Sequence, residues 1–231
     1  MSRTIIYEDL GLLDYGLALQ KQREIFDPLV AKKFSNLSLS QDKQLEICSH
    51  LLFVEHPHVY TLGKSGDPGN LLINNDFLQS IGATYYQVDR GGDITYHGPG
   101  QIVGYPIFDL EPFGMRIRQY VWALEESVIL TLSHFSIEAG RLAGATGVWI
   151  DHTGPLPRKI CAIGVRARRQ ITMHGFAFNV NTNLDYFRYI NPCGFIDKGV
   201  TSMQKELGRE QDFPEVKSIL REKLISFFTN F

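Results

Sequence analysis

Cys193 is the side chain in this sequence best suited to nucleophilic chemistry. It lies in the run Asn-Pro-Cys-Gly at positions 191–194, which is typical of a turn and places few apolar neighbours beside the thiol. Cys48 and Cys161 lie in apolar runs, where cysteine usually behaves as a small hydrophobe. An incidental exposed thiol is the alternative. Because a thiol attacks as its thiolate, this role also requires a neighbour that takes the proton.

Residues 90–110 have the composition of a ligand-binding loop followed by a strand. Within residues 90–100, four glycines are interspersed with an arginine, a carboxylate, a tyrosine and a histidine: Gly91, Gly92, Gly98 and Gly100. Glycine at this density permits positive φ and lets a ligand approach the main chain closely. A glycine-rich hairpin without a ligand is the alternative.

The spacing of the residues that would form a metal, serine-hydrolase or nucleotide site disfavours all three kinds of site. The three widely spaced cysteines and five of the seven histidines (His56, His58, His97, His152 and His174) form no zinc-ligand pattern, so we expect no metal. Gly-x-Ser-x-Gly is absent, and Gly-Lys-Ser at 63–65 lacks the first glycine of a P-loop, so we expect no cofactor. We interpret His97 and His174 as orienting residues at a pocket.

Four ordered blocks resemble the lipoyl(octanoyl) transferase family, the octanoyl-carrier-protein:protein N-octanoyltransferases of lipoate assembly. They are Leu-Phe-Val-Glu-His-Pro-x-Val-Tyr-Thr-Leu-Gly at 52–63, Arg-Gly-Gly-x-x-Thr-Tyr-His-Gly-Pro-Gly-Gln at 90–101, Lys-Ile-Cys-Ala-Ile-Gly-Val-Arg at 159–166, and His-Gly-Phe-Ala-Phe-Asn-Val-Asn at 174–181, which runs on to Asn-Pro-Cys-Gly. The resemblance spans roughly residues 50–205. It implies the fold of biotin and lipoate protein ligases, which periodicity alone does not show.

The resemblance assigns the catalytic pair. It places the acyl-accepting thiol at Cys193 and the base at Lys159, where partial desolvation before an apolar strand favours the neutral amine. Sequence alone favours an ordinary lysine at a strand end, so the role of Lys159 as base is what the resemblance implies.

A narrow acyl groove is indicated by small residues at alternate positions. Ala162 and Gly164 share one face of a predicted strand, and Gly175 and Ala177 share one face of the next. Close packing of a helix on the sheet is the alternative. The family's substrate-binding segments coincide with these positions: Arg90, Gly91, Gly92, Asp93, Ile94, Thr95, Tyr96, His97, Ala162, Ile163, Gly164, Gly175, Phe176 and Ala177.

Hydrophobic periodicity predicts a single α+β domain over residues 1–231, a mixed sheet flanked by helices. Helices are expected at 14–25, ending or interrupted near Pro28, and at 117–135 and 214–228. Strands are expected at 5–7, late in 45–55, and at 83–89, 101–110, 148–151, 159–168 and 171–181. Residues 35–43 and 63–70 are predicted loops, and Arg169-Gln170 a hairpin turn.

The composition of the chain limits the classes of partner that we expect it to bind. A net charge of −2 gives no reason to expect nucleic acid, and no apolar run is long enough to span a membrane. The first residues contain no signal-peptide core, so we expect a cytoplasmic protein, and we expect a monomer.

The expected reaction is transfer of an octanoyl group from octanoyl-acyl carrier protein to a lysine of lipoyl domains, namely those of 2-oxo acid dehydrogenases and glycine cleavage H protein. A basic cluster near the predicted hairpin is interpreted as a docking surface for these acidic partners or, alternatively, as a solvated tip: Arg158, Lys159, Arg166, Arg168 and Arg169. An ATP-dependent lipoate or biotin ligase, a thioesterase and a silent carrier-binding module are the rival functions. Two features depart from the family, Asp93 within the signature and the proline-rich segment 151–157.

Overall fold

A computed structural model describes residues 3–191 and 199–230. Its larger sheet has the order β1-β2-β6-β10-β9-β8-β7, with β11 paired to β9 beside this path. Its strands are β1 (Ile5–Leu12), β2 (Ser49–Glu55), β6 (Gln101–Ile107), β7 (Gly140–Leu142), β8 (Ala145–Ile150), β9 (Arg158–Arg168), β10 (Ile171–Asn179) and β11 (Gly199–Val200). The pairs β1–β2 and β9–β11 are parallel and the others antiparallel, so the sheet is mixed as predicted.

A second sheet carries the glycine-rich stretch. It has the order β4-β3-β5, built from β3 (Val59–Leu62), β4 (Thr84–Gln87) and β5 (Ile94–His97). The prediction of a loop throughout residues 90–100 is therefore wrong for β5. A four-residue strand between two glycine pairs gives too short an alternation to stand out from turn-forming neighbours.

Helices cover both faces of the larger sheet. The helices of the described residues are α1 (Tyr15–Asn36), α2 (Asn75–Ser80), α3 (Ile117–His134), α4 (Met203–Leu207) and α5 (Phe213–Asn230). Of these, α1 covers one face of the larger sheet and α3 and α5 the other, whereas α2 packs with the second sheet through Leu78. Asp14 caps α1 as predicted, because its carboxylate accepts the N–H groups of Gly16 and Leu17 at 2.8 and 3.2 Å. The amphipathic helices predicted at 117–135 and 214–228 are α3 and α5.

The prediction that the first helix ends near Pro28 is wrong. The helix α1 continues through Pro28 to Asn36, so it also replaces the start of the loop predicted at 35–43. Proline inside a helix costs about 3 kcal/mol. Leu29 and Val30, just beyond it, are buried against the sheet, and burial of two such side chains returns about 1.5–3 kcal/mol each.

Two apolar layers enclose the larger sheet. One face packs against α3 and α5 through large side chains that include Phe53, Phe178 and Leu220. The opposite face packs against α1 through residues such as Val103 and Ala177. The candidate site lies on this second face.

Candidate active site

A cavity on the α1 face of the larger sheet gathers most of the predicted site residues. Its lining includes the following predicted residues: Arg90, Gly92, Asp93, Ile94, Thr95, His97, Lys159, Ala162, Ile163, Gly164, Gly175, Phe176 and Ala177. Two predicted residues lie elsewhere. Gly91 is exposed, with its N–H bonded to the Val165 carbonyl at 2.9 Å. Tyr96 packs in an aromatic cluster, where its hydroxyl is 2.7 Å from His58 Nδ1.

The floor of the cavity consists of small residues in register. Gly164 lies opposite Gly175, and Ala162 lies opposite Ala177, in the antiparallel β9–β10 pair. A Cβ at Gly164 would lie 2.9 Å from the Gly91 carbonyl oxygen and 3.0 Å from Arg90 Cδ. Glycine at this position therefore allows the glycine-rich stretch to close against β9.

A β-bulge brings Lys159 to the cavity. Trp149 pairs with Lys159 but Val148 pairs with Cys161, so Ile160 is an extra residue in β9. Ile160 and Cys161 both point into the core under α3 and α5. Strict alternation would place Lys159 on the same face of the sheet as Cys161, which is not the face on which Ala162 lies. The bulge returns it to the side of Ala162.

The environment of Lys159 is partly enclosed. Its side chain is half-buried, and Nζ lies 4.7 Å from the centroid of the Trp149 ring, a cation–π arrangement. The neighbouring β11 pairs Val200 with Lys159, and the Thr201 N–H donates to the Lys159 carbonyl at 3.0 Å. Lys159 is thus fixed next to the strand that follows residues 192–198.

Cys193 lies outside the described residues, so its position relative to Lys159 stays a prediction. The described chain ends on one side at Asn191 and resumes on the other at Gly199. Both Lys159 and Gly199 line the cavity.

A buried polar network forms the wall opposite the small residues. Arg90 Nη2 donates to the Thr61 carbonyl and hydroxyl oxygens at 2.7 and 3.0 Å. His97 lies 3.3 Å from Thr61 Oγ1 and 2.9 Å from Gln101 Oε1. Gln101 in turn donates to Asn179 Oδ1 at 2.8 Å. Burial lowers the pKa of His97 to about 3, so the ring is neutral at physiological pH and serves as a hydrogen-bonding group.

His174 is held in a strained backbone conformation at the cavity wall. Its φ is 58°, unusual for a residue with a side chain. Its Nε2 lies 3.0 Å from Asp89 Oδ1, and its backbone N–H donates to Gln22 Oε1 at 3.1 Å. Burial lowers the pKa of His174, whereas the hydrogen bond from His174 lowers the pKa of Asp89 to about 2. Both side chains thus make hydrogen bonds at the cavity, and the orienting role assigned to them stays a prediction.

Several residues of the cavity wall were not predicted from the sequence. Tyr15 in the first turn of α1 and Trp149 in β8 line it, and neither occurs in a motif block. Asn179 and Gln101 do lie in the blocks at 174–181 and 90–101, but nothing in their spacing pointed to a pocket. Tyr105, also in the wall, accepts or donates at 2.7 Å with the buried His56.

The predicted basic cluster is partly neutralised. Arg158 lies 3.0 Å from Asp151 and 2.9 Å from Glu206, and Arg166 pairs with Asp89. Arg169 stacks over Phe34 at 4.9 Å. The charge available to an acidic partner is therefore smaller than the count of cations suggests.

The described part of the chain contains neither a metal-binding cluster nor a membrane-spanning helix. Across residues 3–191 and 199–230, no cluster of three or more His, Cys, Asp or Glu side chains is arranged to hold a metal ion. Within the same residues, no helix has the length and apolar character needed to cross a membrane.

Comparison with known proteins identifies the family. The model of the lipoyl protein ligase A/B catalytic domain matches residues 27–225. The chain belongs to this family. An octanoyltransferase of Flavobacterium johnsoniae is 53% identical to this family member over 229 residues, which cover 99% of this chain and 98% of the relative. The prediction of an acyltransferase enzyme is thereby confirmed.

Solved structures confirm the predicted fold. A bipartite lipoate protein ligase of Thermoplasma acidophilum, determined with its E2 lipoyl domain, matches with a TM-score of 0.65 at 16% identity, covering 97% of this chain and 84% of that one. The apo biotin protein ligase of Aquifex aeolicus matches with a TM-score of 0.50 at 11% identity, covering 99% and 70%. This family member therefore has the mixed-sheet fold of lipoate and biotin protein ligases.

Proposed function

We propose that this chain transfers an octanoyl group from octanoyl-acyl carrier protein to the ε-amine of a lipoyl-domain lysine through a thioester on Cys193. The observation that carries the proposal is the bulge at Ile160, which places Lys159 at one end of a cavity floored by Gly164, Gly175, Ala162 and Ala177. A straight acyl chain suits such a floor, because the small residues leave a groove between polar walls. The relatives named octanoyltransferase support the choice of acyl group.

In the first half-reaction, Lys159 accepts the proton of the Cys193 thiol, and the sulfur attacks the carbonyl carbon of the donor thioester. The tetrahedral intermediate collapses with loss of the carrier's thiolate, which takes the proton back from Lys159. Octanoyl-S-enzyme and free carrier are the products. The thioester is already activated, so this route consumes no ATP.

In the second half-reaction, the neutral ε-amine of the acceptor lysine attacks the Cys193 thioester. Its excess proton passes to Lys159 and then to the departing Cys193 sulfur, so the amide forms and the enzyme returns to its starting state. The acceptors we propose are the lipoyl domains of 2-oxo acid dehydrogenases and glycine cleavage H protein. Residues 1–231 act as one catalytic domain in this scheme.

Intact-mass analysis tests the scheme. The chain is incubated with octanoyl-acyl carrier protein without ATP, and apo lipoyl domain is then added. We expect the enzyme to gain one octanoyl group and then to lose it to the domain lysine. Cys193→Ser should gain no stable octanoyl group, whereas Cys48→Ser, a matched change at a thiol outside the cavity, should behave as the unchanged chain does.

The rival functions give different results in the same assay. Labelling that requires ATP indicates a ligase, and release of free octanoate in place of transfer indicates a thioesterase. Octanoyl uptake that persists in Cys193→Ser overturns the proposed nucleophile.

A further inference from the structure

Cys193 is closer along the chain to Asn191, the last described residue before it, than to Gly199, the first described residue after it. Asn191 precedes Cys193 by two residues, which span at most about 7 Å of extended chain. Gly199 follows it by six residues, which span up to about 20 Å. What fixes Asn191 therefore constrains the thiol far more than what fixes Gly199.

Asn191 is fixed by the loop before α2. Its backbone N–H donates to the Asn70 carbonyl at 2.9 Å. The next residue of that loop, Leu71, forms a β-bridge with Ile190, which is buried. The upstream tether thus combines this short backbone pairing with the burial of Ile190, and Asn70 makes the contact nearest to Cys193 in sequence.

Asn70 is in turn held by the glycine-rich stretch. Its Nδ2 donates to Asp93 Oδ2 at 2.6 Å, a charge-assisted hydrogen bond, while the other carboxylate oxygen of Asp93 accepts the Ile94 N–H at 2.7 Å. Ile94 begins β5, and both Asp93 and Ile94 line the cavity. The carboxylate of Asp93 therefore joins the cavity wall to the loop that anchors Asn191.

We propose that Asn70 and Asp93 are a positioning pair that sets the place of the Cys193 nucleophile relative to the acyl cavity. This role rests on the proposed function, since it requires Cys193 to be the acyl acceptor. The pair acts through the backbone at Asn191 and touches no reacting atom. A displacement of the thiol by about 1 Å is enough to slow a reaction between positioned groups by about 100-fold.

An isosteric exchange tests the pair. Asn70→Asp places two carboxylates at hydrogen-bond distance, so the contact becomes repulsive at neutral pH. We expect formation of the octanoyl-enzyme in a single turnover to slow by at least about tenfold. The slowing should diminish as the pH is lowered, because one proton shared by the two carboxylates restores the contact.

The double variant Asn70→Asp with Asp93→Asn should restore the rate to within about threefold. In it, the amide at position 93 donates to the carboxylate at position 70 and still accepts the Ile94 N–H, so the hydrogen bond returns with its direction reversed. Asn74→Asp is the matched control. It adds the same charge in the same loop and keeps the oxygen that accepts the Phe77 N–H at the start of α2, so its rate should be unchanged.

Alkylation of Cys193 by iodoacetamide, followed by peptide mass, is the reference for thiol reactivity, since a small reagent needs no placement against the cavity. The ratio of acylation rate to alkylation rate should fall in Asn70→Asp and recover in the double variant. An Asn70→Asp variant with an unchanged ratio, or a folded double variant that does not recover, overturns the positioning role alone. An unsubstituted chain that takes up no octanoyl group overturns the proposed function and this role with it.

Discussion

The two faces of the larger sheet are built from the same strands but from different kinds of side chain. Under α3 and α5, large apolar residues such as Phe53, Phe178 and Leu220 fill the space between layers. Under α1, small residues leave a cavity, and buried polar groups such as His97 and Gln101 form its wall. Because side chains alternate along a strand, one segment supplies both surfaces. Both sides of the shared backbone therefore contribute apolar packing, but the cavity and its polar groups lie on one side.

The largest expected effect is on the cavity face. Lys159→Met keeps a side chain of similar length but removes the group that takes the proton, so we expect acyl transfer to fall by about 10²–10⁴-fold. The unfolding midpoint should change little, since Lys159 is only half-buried. Single-turnover acylation and urea unfolding measure the two effects. A variant that retains most of the activity would show that the base is another group.

On the opposite face of the sheet, a substitution should lower the stability and leave the transfer rate unchanged. Leu220→Ala, in α5, leaves a gap in the fully buried apolar layer, so the free energy of unfolding should fall by about 2–5 kcal/mol. The transfer rate of the folded enzyme should stay unchanged below the midpoint. Urea unfolding and transfer kinetics on the same preparation test this. A large loss of rate per folded molecule would mean that the two faces are coupled.

The next-largest expected effect is on the preferred acyl chain length, which depends on the shape of the cavity. Ala177→Val adds two methyl groups to the cavity floor opposite Ala162, so shorter acyl groups should be favoured. We expect the ratio of kcat/KM for hexanoyl-carrier over octanoyl-carrier to rise by about tenfold or more. Ala123→Val, a buried alanine in α3 on the other face, is the control and should leave the ratio alone. An unchanged ratio in Ala177→Val would place the acyl chain elsewhere.

The smallest expected effect concerns pH. Burial lowers the pKa of His56 to about 4, below the unfolded value near 6.5. The neutral ring is thus favoured by folding, so its contribution to stability is complete above pH 6.5 and decreases as the pH falls from 6.5 towards 4. Lowering the pH from 7 to 5 should reduce the free energy of unfolding of the unsubstituted chain. In His56→Gln this reduction should be smaller by about 1–2 kcal/mol.

Urea unfolding at the two pH values measures the pH effect. Leu220→Ala serves as the reference for a face without such groups, because it should lower stability by the same amount at both pH values. A His56→Gln variant with the full pH dependence of the unsubstituted chain would place the titrating groups elsewhere.

Long periodic patterns and motif composition predicted much of this molecule. The helices at 117–135 and 214–228, the β9–β10 hairpin and the aligned small residues followed from spacing, because each pattern repeats over several turns or strand positions. The pocket composition followed from the motif blocks. These features depend on local sequence, which is all that periodicity reports.

Features set by tertiary contacts were not predictable. Helix α1 passes through Pro28 because the sheet buries the residues beyond it. Tyr15 reaches the cavity wall only because α1 lies across that face. The bulge at Ile160 depends on the partner strand β8, and no local signal marks it. The resemblance selected Lys159, whereas alternation alone would have placed it on the wrong face.

The bulge at Ile160 also bears on where this chain tolerates changes of length. The connection between β8 and β9, residues 151–157, lies before the bulge and is mostly exposed, so an insertion there lengthens a turn without altering which way Lys159 points. A β9 that kept Ile160 but paired without the bulge would turn the amine towards the hydrocarbon layer under α3, whereas deleting Ile160 would make Trp149–Lys159 and Val148–Cys161 consecutive pairs and leave the amine on the cavity side. The pairing of β9 with β8 at the bulge, and not the length of the connection before it, therefore decides the face on which Lys159 lies.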